Sequence, residues 1–247
     1  MKKRFVFIDI DGCITPGKNK SIPAKDISDM QNTLSQMSDY FDYVIVTARP
    51  AAYAEAIVQV LGLMDEKNHQ HAVCESGCVA HIFGSDTYVV SDYVNQDELS
   101  DFENNLRHLQ DAYSFTMEDG RKRTITLLAK GNQTLPALEK IIGQLLPKGL
   151  NMHVSAGGID IMPENIDKAE AIKKLQEILK FNLKDSISIG DSGGDLPLLK
   201  IIGHPSCPGN ASDSVKEIVR KKHGYKSKKE YGQGVVDILK YYYKKNN

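Results

Sequence analysis

The sequence predicts an α/β protein: a Rossmann-like, doubly wound parallel sheet into which a smaller α+β domain is inserted. Two buried strands indicate the sheet, because Phe5–Ile8 and Tyr43–Val46 are apolar throughout and lack the alternation of a half-exposed strand. A change of pattern between residues 84 and 163, where helices alternate with hairpins, indicates the insertion. We therefore expect a core domain of residues 1–83 and 164–247 and an inserted domain of residues 84–163.

The chain has 247 residues and a formal net charge of −1, and this length suits one large or two small domains. A charge so close to zero gives no indication of a nucleic-acid partner or of binding to an anionic membrane. No apolar run reaches about 18 residues, so we expect no transmembrane helix. The basic start Met1–Arg4 precedes an apolar run that is too short for a signal peptide and that Asp9 interrupts. We expect a cytoplasmic protein.

The four cysteines, Cys13, Cys74, Cys78 and Cys207, are scattered along the chain, which suits a reducing compartment. Cys74 and Cys78 have the loose spacing of a metal site, but no second pair matches them. We interpret the cysteines as small buried side chains.

Two carboxylates end the first strand, since Asp9 and Asp11 follow the apolar run and Gly12 comes next. Ligands of open parallel sheets bind beyond the carboxyl ends of the strands. Carboxylates placed there lose hydration unless a cation or a reaction uses them. Gly12 permits a sharp turn and a close approach of the backbone to a ligand. Taken alone, the stretch also fits a strand that ends in an ordinary polar turn.

A hydroxyl group ends the second strand. A helix over Ala24–Ser38 precedes that strand and carries apolar residues at helical spacing. Thr47 follows the strand and stands before a helix that begins at Ala51. Its hydroxyl is placed to donate to a phosphate beside the N–H groups of a helix start. A plain helix cap by Thr47 fits the same position.

The inserted region has a helix–hairpin pattern of its own. Asp119-Gly120 between two strand-like runs predicts a hairpin turn. We expect Arg121, Arg123 and His153 to be surface residues, with contact to a leaving group as the alternative. The predicted elements are a helix over Gln96–Ala112, strands Tyr113–Met117 and Arg123–Ala129, a helix over Leu135–Leu146, and strands Asn151–Ser155 and Ile159–Met162, the last two separated by Gly157-Gly158.

After the insertion, Asp167 begins a helix with Lys168 in its first turn, where the helix dipole does not favour a cation. That placement is a mild indication of function, although an exposed lysine is the alternative. A further strand, Ser186–Ile189, then leads into Asp191 and, after a glycine-rich loop, Asp195. Two more carboxylates thus stand at the end of a third strand.

Four carboxylates, those of Asp9, Asp11, Asp191 and Asp195, are expected to converge at the strand ends. A like-charged pair 4 Å apart costs about 4 kcal/mol at an effective dielectric constant near 20, so the group requires a cation. With oxygen ligands and no His or Cys among these four residues, the expected ion is Mg²⁺.

Four segments resemble, in order, the four motifs of the haloacid dehalogenase superfamily, whose members are mostly phosphohydrolases. The segments are Asp9-Ile10-Asp11-Gly12-Cys13-Ile14-Thr15, Thr47, Lys168, and Gly190-Asp191 with Asp195. The insertion resembles the IIB-type cap of that superfamily. Glu75-Ser76-Gly77 and Gly209-Asn210-Ala211 resemble landmarks of its Cof-like sugar-phosphatase branch. Two departures stand out: Ser76 replaces an Asn, and Gly194 stands where Cof-like members usually carry Asn before the second Asp.

The resemblance implies a role for each residue. Asp9 is the nucleophile that forms an aspartyl-phosphate, and Asp11 is the general acid and base, whose backbone carbonyl also binds the metal. Thr47 and Lys168 bind the phosphoryl oxygens. The implied metal residues are Asp9, Asp11, Asp191 and Asp195. Asp195 is either a ligand or a residue that orients the ligands. Asn210 is a further candidate, either for contact with the substrate or for contact with the residues that bind it.

The predicted function is therefore Mg²⁺-dependent hydrolysis of a small phosphorylated metabolite, with a sugar phosphate or phosphoglycolate implied by the branch. One alternative is a phosphotransferase of the phosphomannomutase type, in which a sugar hydroxyl replaces water as the acceptor. The other is a non-enzymatic binding module on the same fold. Phosphate release without an acceptor distinguishes the first alternative, and the complete set of motif residues argues against the second.

Overall fold

The computed structural model of the chain describes residues 3–17, 20–64, 71–82, 87–89, 96–131, 135–155 and 158–246. Its strands form two sheets, one of eight strands and one of four. The strands are β1 (Arg4–Ile8), β2 (Phe41–Val46), β3 (His71–Cys74), β4 (Val79–Ile82), β5 (Thr87–Val89), β6 (Phe115–Met117), β7 (Ile125–Ala129), β8 (Leu150–Ser155), β9 (Gly158–Pro163), β10 (Ile187–Ile189), β11 (His204–Cys207) and β12 (Tyr225–Lys226).

The larger sheet has the order β12-β11-β10-β1-β2-β3-β4-β5. Its strands from β12 to β3 are parallel, whereas β4 and β5 are antiparallel additions at one edge. At the centre, Val6 of β1 lies between Tyr43 of β2 and Ile187 of β10. The carboxyl ends of these three strands therefore meet at one edge, as the sequence predicts.

Helices cover both faces of this sheet, which confirms the doubly wound architecture. The helices are α1 (Ala24–Gln36), α2 (Ala51–Val60), α3 (Gln96–Arg107), α4 (Gln110–Tyr113), α5 (Leu135–Leu145), α6 (Lys168–Leu179), α7 (Leu196–Ile201), α8 (Asp213–Lys221) and α9 (Tyr231–Asn246). Ile8 of β1 packs in a cluster with side chains of α1, α2 and α9, and Phe7 packs in another with side chains of α6 and α7.

The smaller sheet is antiparallel, in the order β6-β7-β9-β8, and contains both predicted hairpin pairs. It has its own hydrophobic cluster, which includes Leu106 of α3, Ile142 of α5 and Ile161 of β9. The predicted helix Gln96–Ala112 is divided into α3 and α4. The predicted domain start at residue 84 and Gly157 lie outside the described residues, and β5, inside the predicted insertion, pairs with β4 in the larger sheet.

Other expectations from the sequence hold in the fold. The four cysteines are buried and not disulfide-bonded. Across the described ranges, no helix combines the length and apolar character that a membrane span requires.

Candidate active site

The predicted motifs meet where β1, β2 and β10 end. Asp9 directly follows β1, and its amide donates to the carbonyl of Ile189 at the end of β10 at 3.0 Å. Asp191 follows β10, across from the turn at Gly12. Gly12 has a φ of +87°, and a methyl group on its Cα would overlap the Asp191 carboxylate. Glycine therefore permits both the turn and the close approach of this loop to Asp191.

Lys168 joins the carboxylates of two motifs. Its Nζ lies 2.7 Å from Oδ1 of Asp9 and 2.6 Å from Oδ1 of Asp195. The lysine is only 4 % exposed, so the alternative of an exposed lysine is wrong. Asp167 caps α6 by accepting from the amides of Ala169 at 2.8 Å and Glu170 at 2.9 Å. This cap begins the helix at the residue that must reach the carboxylates.

The buried charges shift one another's pKa values. Burial raises the pKa of Asp9 well above its usual value, although the neighbouring Lys168 ammonium lowers it. Burial alone would lower the pKa of Lys168, but Asp195 and Asp9 together raise it. Burial, followed by the charge of Asp195, raises the pKa of Asp191 to about 7. The site thus holds more carboxylate than one lysine neutralises, which is the condition under which a cation binds well.

Asp195 orients its neighbours. Oδ2 accepts from the amides of Asp191 at 2.9 Å and Ser192 at 3.0 Å, while Oδ1 accepts from Lys168. Both oxygens are therefore engaged by protein donors in this structure, and a direct metal contact by Asp195 stays a prediction. Open space surrounds the position that a side chain at Gly194 would occupy.

The donor set fits a cation. One possible ligand atom from each of Asp9, Cys13 and Asp191 lies within 4.8 Å of the other two. Oδ1 of Asp191 is buried and has no hydrogen-bond partner among the described residues, and a cation would satisfy it. Two carboxylates favour a hard ion such as Mg²⁺. The thiol of Cys13 is a neighbour that the sequence argument did not include.

The carboxylate of Asp11 pairs with Arg49. Nε of Arg49 is 2.7 Å from Oδ2 of Asp11, and Nη2 is 2.9 Å from Oδ1. The hydrogen-bonded contact with Asp11 raises the pKa of Arg49. The guanidinium also lies 4.8 Å from the ring centre of Tyr53 and reaches Glu118 of the β6–β7 hairpin at 3.2 Å. Sequence reasoning missed Arg49, although it stands two residues after Thr47 at a strand end.

Thr47 and Asn210 support the loops around the carboxylates. Thr47 is buried, and its hydroxyl oxygen accepts from the Arg49 amide at 3.1 Å, which leaves its proton available to a ligand. Asn210 donates from Nδ2 to the carbonyl of Gly12 at 2.8 Å and accepts at Oδ1 from the Tyr231 amide at 2.9 Å. Asn210 thus ties the Gly12 turn to α9, which favours the supporting role over substrate contact.

A buried glutamate ties the smaller sheet to the larger one. Glu75 accepts from the amides of Lys122 and Arg123, both at 2.8 Å, and from the hydroxyl of Thr124 at 2.9 Å. The turn that carries Glu75 has positive φ angles at Glu75, Ser76 and Gly77. A core residue in an unusual conformation therefore holds the hairpin that faces Asp11 and Arg49.

Arg121 crosses the same boundary. Its Nη1 donates to the carbonyl of Ala48 at 3.0 Å and to the hydroxyl of Thr124 at 2.9 Å, and its Nε donates to Glu118 at 2.9 Å. The side chain is 7 % exposed, so the expectation of a surface residue is wrong for Arg121. His153 is exposed, as expected.

A cleft of about 270 Å³ separates the two sheets beside Asp11. The larger sheet's loops form one wall and the smaller sheet forms the other, so a group bound in the cleft touches both. The lining residues are Asp11, Gly17, Ala48, Arg49, Glu118, Arg121, Thr126, Leu128, Gly158 and Asp160.

Comparison with known proteins places this site in context. A family model described as haloacid dehalogenase-like hydrolase matches residues 82–239. A phosphoglycolate phosphatase of Methanothrix thermoacetophila is 27% identical over 237 residues, which is 95% of this chain and 94% of that protein. Among solved structures, a haloacid dehalogenase-like hydrolase from Bacteroides thetaiotaomicron has a TM-score of 0.76 at 15% identity and covers 97% of this chain and 99% of its own. A protein of Thermoplasma acidophilum has a TM-score of 0.75 at 18% identity and covers 98% of both chains.

Proposed function

The chain belongs to the haloacid dehalogenase-like hydrolases, and from this we propose that it is a Mg²⁺-dependent phosphatase that hydrolyses a small phosphorylated metabolite through an aspartyl-phosphate. The observation that carries the proposal is the contact of Lys168 with Asp9, 2.7 Å between Nζ and Oδ1 at the end of β1. A lysine that binds the nucleophile also binds the oxygens of a phosphoryl group that reacts there. The relative from Methanothrix thermoacetophila supports the reaction class.

In the first step, a carboxylate oxygen of Asp9 attacks phosphorus, and the bond from phosphorus to the ester oxygen breaks. Asp11 gives its proton to the departing alcohol. Lys168 and the Thr47 hydroxyl hold the phosphoryl oxygens. In the second step, Asp11 takes a proton from a water molecule that attacks phosphorus, the bond to Asp9 breaks, and inorganic phosphate leaves.

Magnesium, when bound, offsets the charge of the phosphoryl oxygens and of the carboxylates around them. Asp9, Asp191 and the backbone carbonyl of Asp11 are the proposed ligands, and the unpartnered Oδ1 of Asp191 supports this assignment. Asp195 holds Lys168 and the loop amides of Asp191 and Ser192 in position.

The inserted domain, of which the structure describes residues 96–131, 135–155 and 158–163 beyond β5, acts as a cap over the reacting atoms. Glu75 and Arg121 fix its hairpin beside Asp11. A covered site excludes water from the first step, when the alcohol must leave, and admits it for the second.

The test is phosphate release from para-nitrophenyl phosphate and from a panel of phosphorylated metabolites, without any sugar acceptor. The wild-type chain should release phosphate with Mg²⁺ and should stop with EDTA. Asp9→Asn should lower kcat by roughly 10³-fold or more and should abolish incorporation of phosphate into acid-quenched protein. Asp39→Asn, the same change at an exposed position of the larger domain, is the matched control. Full activity of a folded Asp9→Asn protein would refute the assignment of the nucleophile.

A further inference from the structure

The cleft between the sheets is where an alcohol leaving group would lie, because the proposed acid, Asp11, is part of its wall. Its volume of about 270 Å³ is below the roughly 300–1,000 Å³ of pockets for drug-sized ligands. The leaving group must therefore be small. Its chemistry depends on the charged side chains that it meets.

Acidic side chains outnumber basic ones in this cleft. Of the described residues that line it, Asp11, Glu118 and Asp160 are acidic, and Arg49 and Arg121 are basic. Each guanidinium is already paired with acidic side chains of the cleft. Arg49 contacts Asp11 and also Glu118, and Arg121 contacts Glu118, so both stay paired with Glu118 when Asp11 carries the proton that it gives to the leaving group. A further carboxylate on the substrate would find both cations engaged.

Asp160 lies on the cleft side of the smaller sheet because side chains alternate along β9. Its neighbours Ile159 and Ile161 are fully buried in the sheet's hydrophobic cluster, and Asp160 points the other way into the cleft wall. Opposite it on β7, Thr126 donates its hydroxyl to Oδ1 of Asp160 at 2.5 Å. Thr126 is 4 % exposed, so this contact fixes the orientation of the carboxylate.

The second oxygen of Asp160, Oδ2, receives no hydrogen bond from any described residue. An ionised carboxylate only accepts hydrogen bonds, so the group that binds here must be a donor. A substrate hydroxyl is a donor, whereas a substrate carboxylate would bring a second negative charge to Asp160, with Glu118 on the same wall.

We propose that Asp160 determines the substrate class by accepting a hydrogen bond from a hydroxyl of the leaving group. The cleft then selects phosphate esters of small, uncharged polyols or sugars and disfavours esters whose leaving group carries a carboxylate. The inference rests on the proposed phosphatase function. Of the two substrate classes that the sequence resemblance implies, it selects sugar phosphates over phosphoglycolate, the substrate named for the relative from Methanothrix thermoacetophila.

The test compares kcat/KM for glycerol 3-phosphate and 2-phosphoglycolate in the full chain with Mg²⁺. In the wild type, kcat/KM should be at least about tenfold higher for glycerol 3-phosphate than for 2-phosphoglycolate. A tenfold ratio corresponds to the lower end of the free-energy range of a hydrogen bond to a charged group. Asp160→Asn preserves shape and removes the charge, and it should lower that ratio by about 10- to 100-fold. Asp101→Asn, on the exposed side of α3, should leave the ratio unchanged.

A variant that only loses stability lowers kcat/KM for both substrates by the same factor. The ratio of the two kcat/KM values therefore does not change. A wild-type preference for 2-phosphoglycolate would overturn the inference, and so would an unchanged ratio in folded Asp160→Asn protein. In both cases the proposed function stands, because phosphate is still released. If the folded wild type released phosphate from neither ester nor from para-nitrophenyl phosphate, the proposed function itself would fail, and the inference with it.

Discussion

The Asp167 carbonyl lies so close to Gly77 that a methyl group on Gly77 would overlap it. This contact joins two parts of the site. The turn at residues 75–77 carries Glu75, which holds the hairpin of the smaller sheet, and Asp167 begins the helix that presents Lys168 to Asp9. The support of the hairpin and the position of Lys168 thus depend on the same few backbone atoms.

Lys168→Met should abolish phosphate release and lower the free energy of unfolding by about 3 kcal/mol, because two buried carboxylates lose their shared cation. Urea unfolding and phosphate release measure the two effects. Lys173→Met, in the same helix but exposed to solvent, should change both by little. A Lys168→Met protein as stable as wild type would show that the buried ion pairs contribute nothing to folding.

Metal affinity should fall in acid, because the pKa of Asp191 is raised to about 7 and a cation binds the deprotonated carboxylate. Protonation predominates below that pKa, so Mg²⁺ should bind roughly tenfold more weakly at pH 6 than at pH 8. Calorimetric titration of the metal-free chain at both pH values measures this. Equal affinities would exclude Asp191 as a titrating ligand. Asp191→Asn should reduce the pH dependence, and what remains should come from Asp9, whose pKa is also raised.

Glu75→Gln should loosen the hairpin that faces Asp11. The Gln side chain replaces one carboxylate oxygen with an N–H₂ group. That group would face a backbone N–H that now donates to Glu75, either the N–H of Lys122 or that of Arg123. Loss of one hydrogen bond to a charged group should speed amide exchange at residues 122–126 by about 10- to 100-fold. Hydrogen-exchange mass spectrometry reads these amides directly. The control is Glu98→Gln on the exposed side of α3, and equal exchange in both variants would contradict the role of Glu75.

Arg49→Lys should lower kcat by about tenfold or more while changing KM less. The single ammonium group of a lysine cannot contact both oxygens of Asp11 and also reach Glu118. The side chain of Asp11, the proposed acid, therefore loses its fixed orientation. Steady-state kinetics with para-nitrophenyl phosphate provide the comparison. Arg107→Lys is the matched control, because Arg107 pairs with Glu103 on an exposed helix face. A rise in KM alone would instead make Arg49 a substrate-binding residue.

The sequence predicts the parts of the site that depend on local pattern. Buried strands read as apolar runs, and their ends place Asp9, Thr47 and Asp191 at one edge of a parallel sheet. The N-cap at Asp167 likewise fixes the start of α6, and with it the position of Lys168. Predicting these features requires only the spacing of apolar residues along the chain and the rule that ligands bind at strand ends.

What the sequence does not predict depends on contacts between distant segments. Glu75 reads as part of a turn, and its partners are a hairpin whose amides lie 47 and 48 residues later. Arg49 pairs with Asp11 across two strands, and Arg121 is buried by a loop that it meets only in the folded chain. No local pattern distinguishes such side chains from exposed ones, since each follows a turn or strand end where charged residues are common.

The position of β1 between β2 and β10 has a consequence for how the chain is made. Val6 can pair with Ile187 only after β10 has been synthesised. One edge of the central strand β1 therefore stays unpaired while nearly three quarters of the protein is synthesised. The smaller sheet needs only residues 96–163 and can form during that interval, since its pairings are local. Nascent chains arrested before β10 should therefore contain a protected smaller sheet and an open, aggregation-prone strand edge, and pulse-labelling exchange on such chains can detect both.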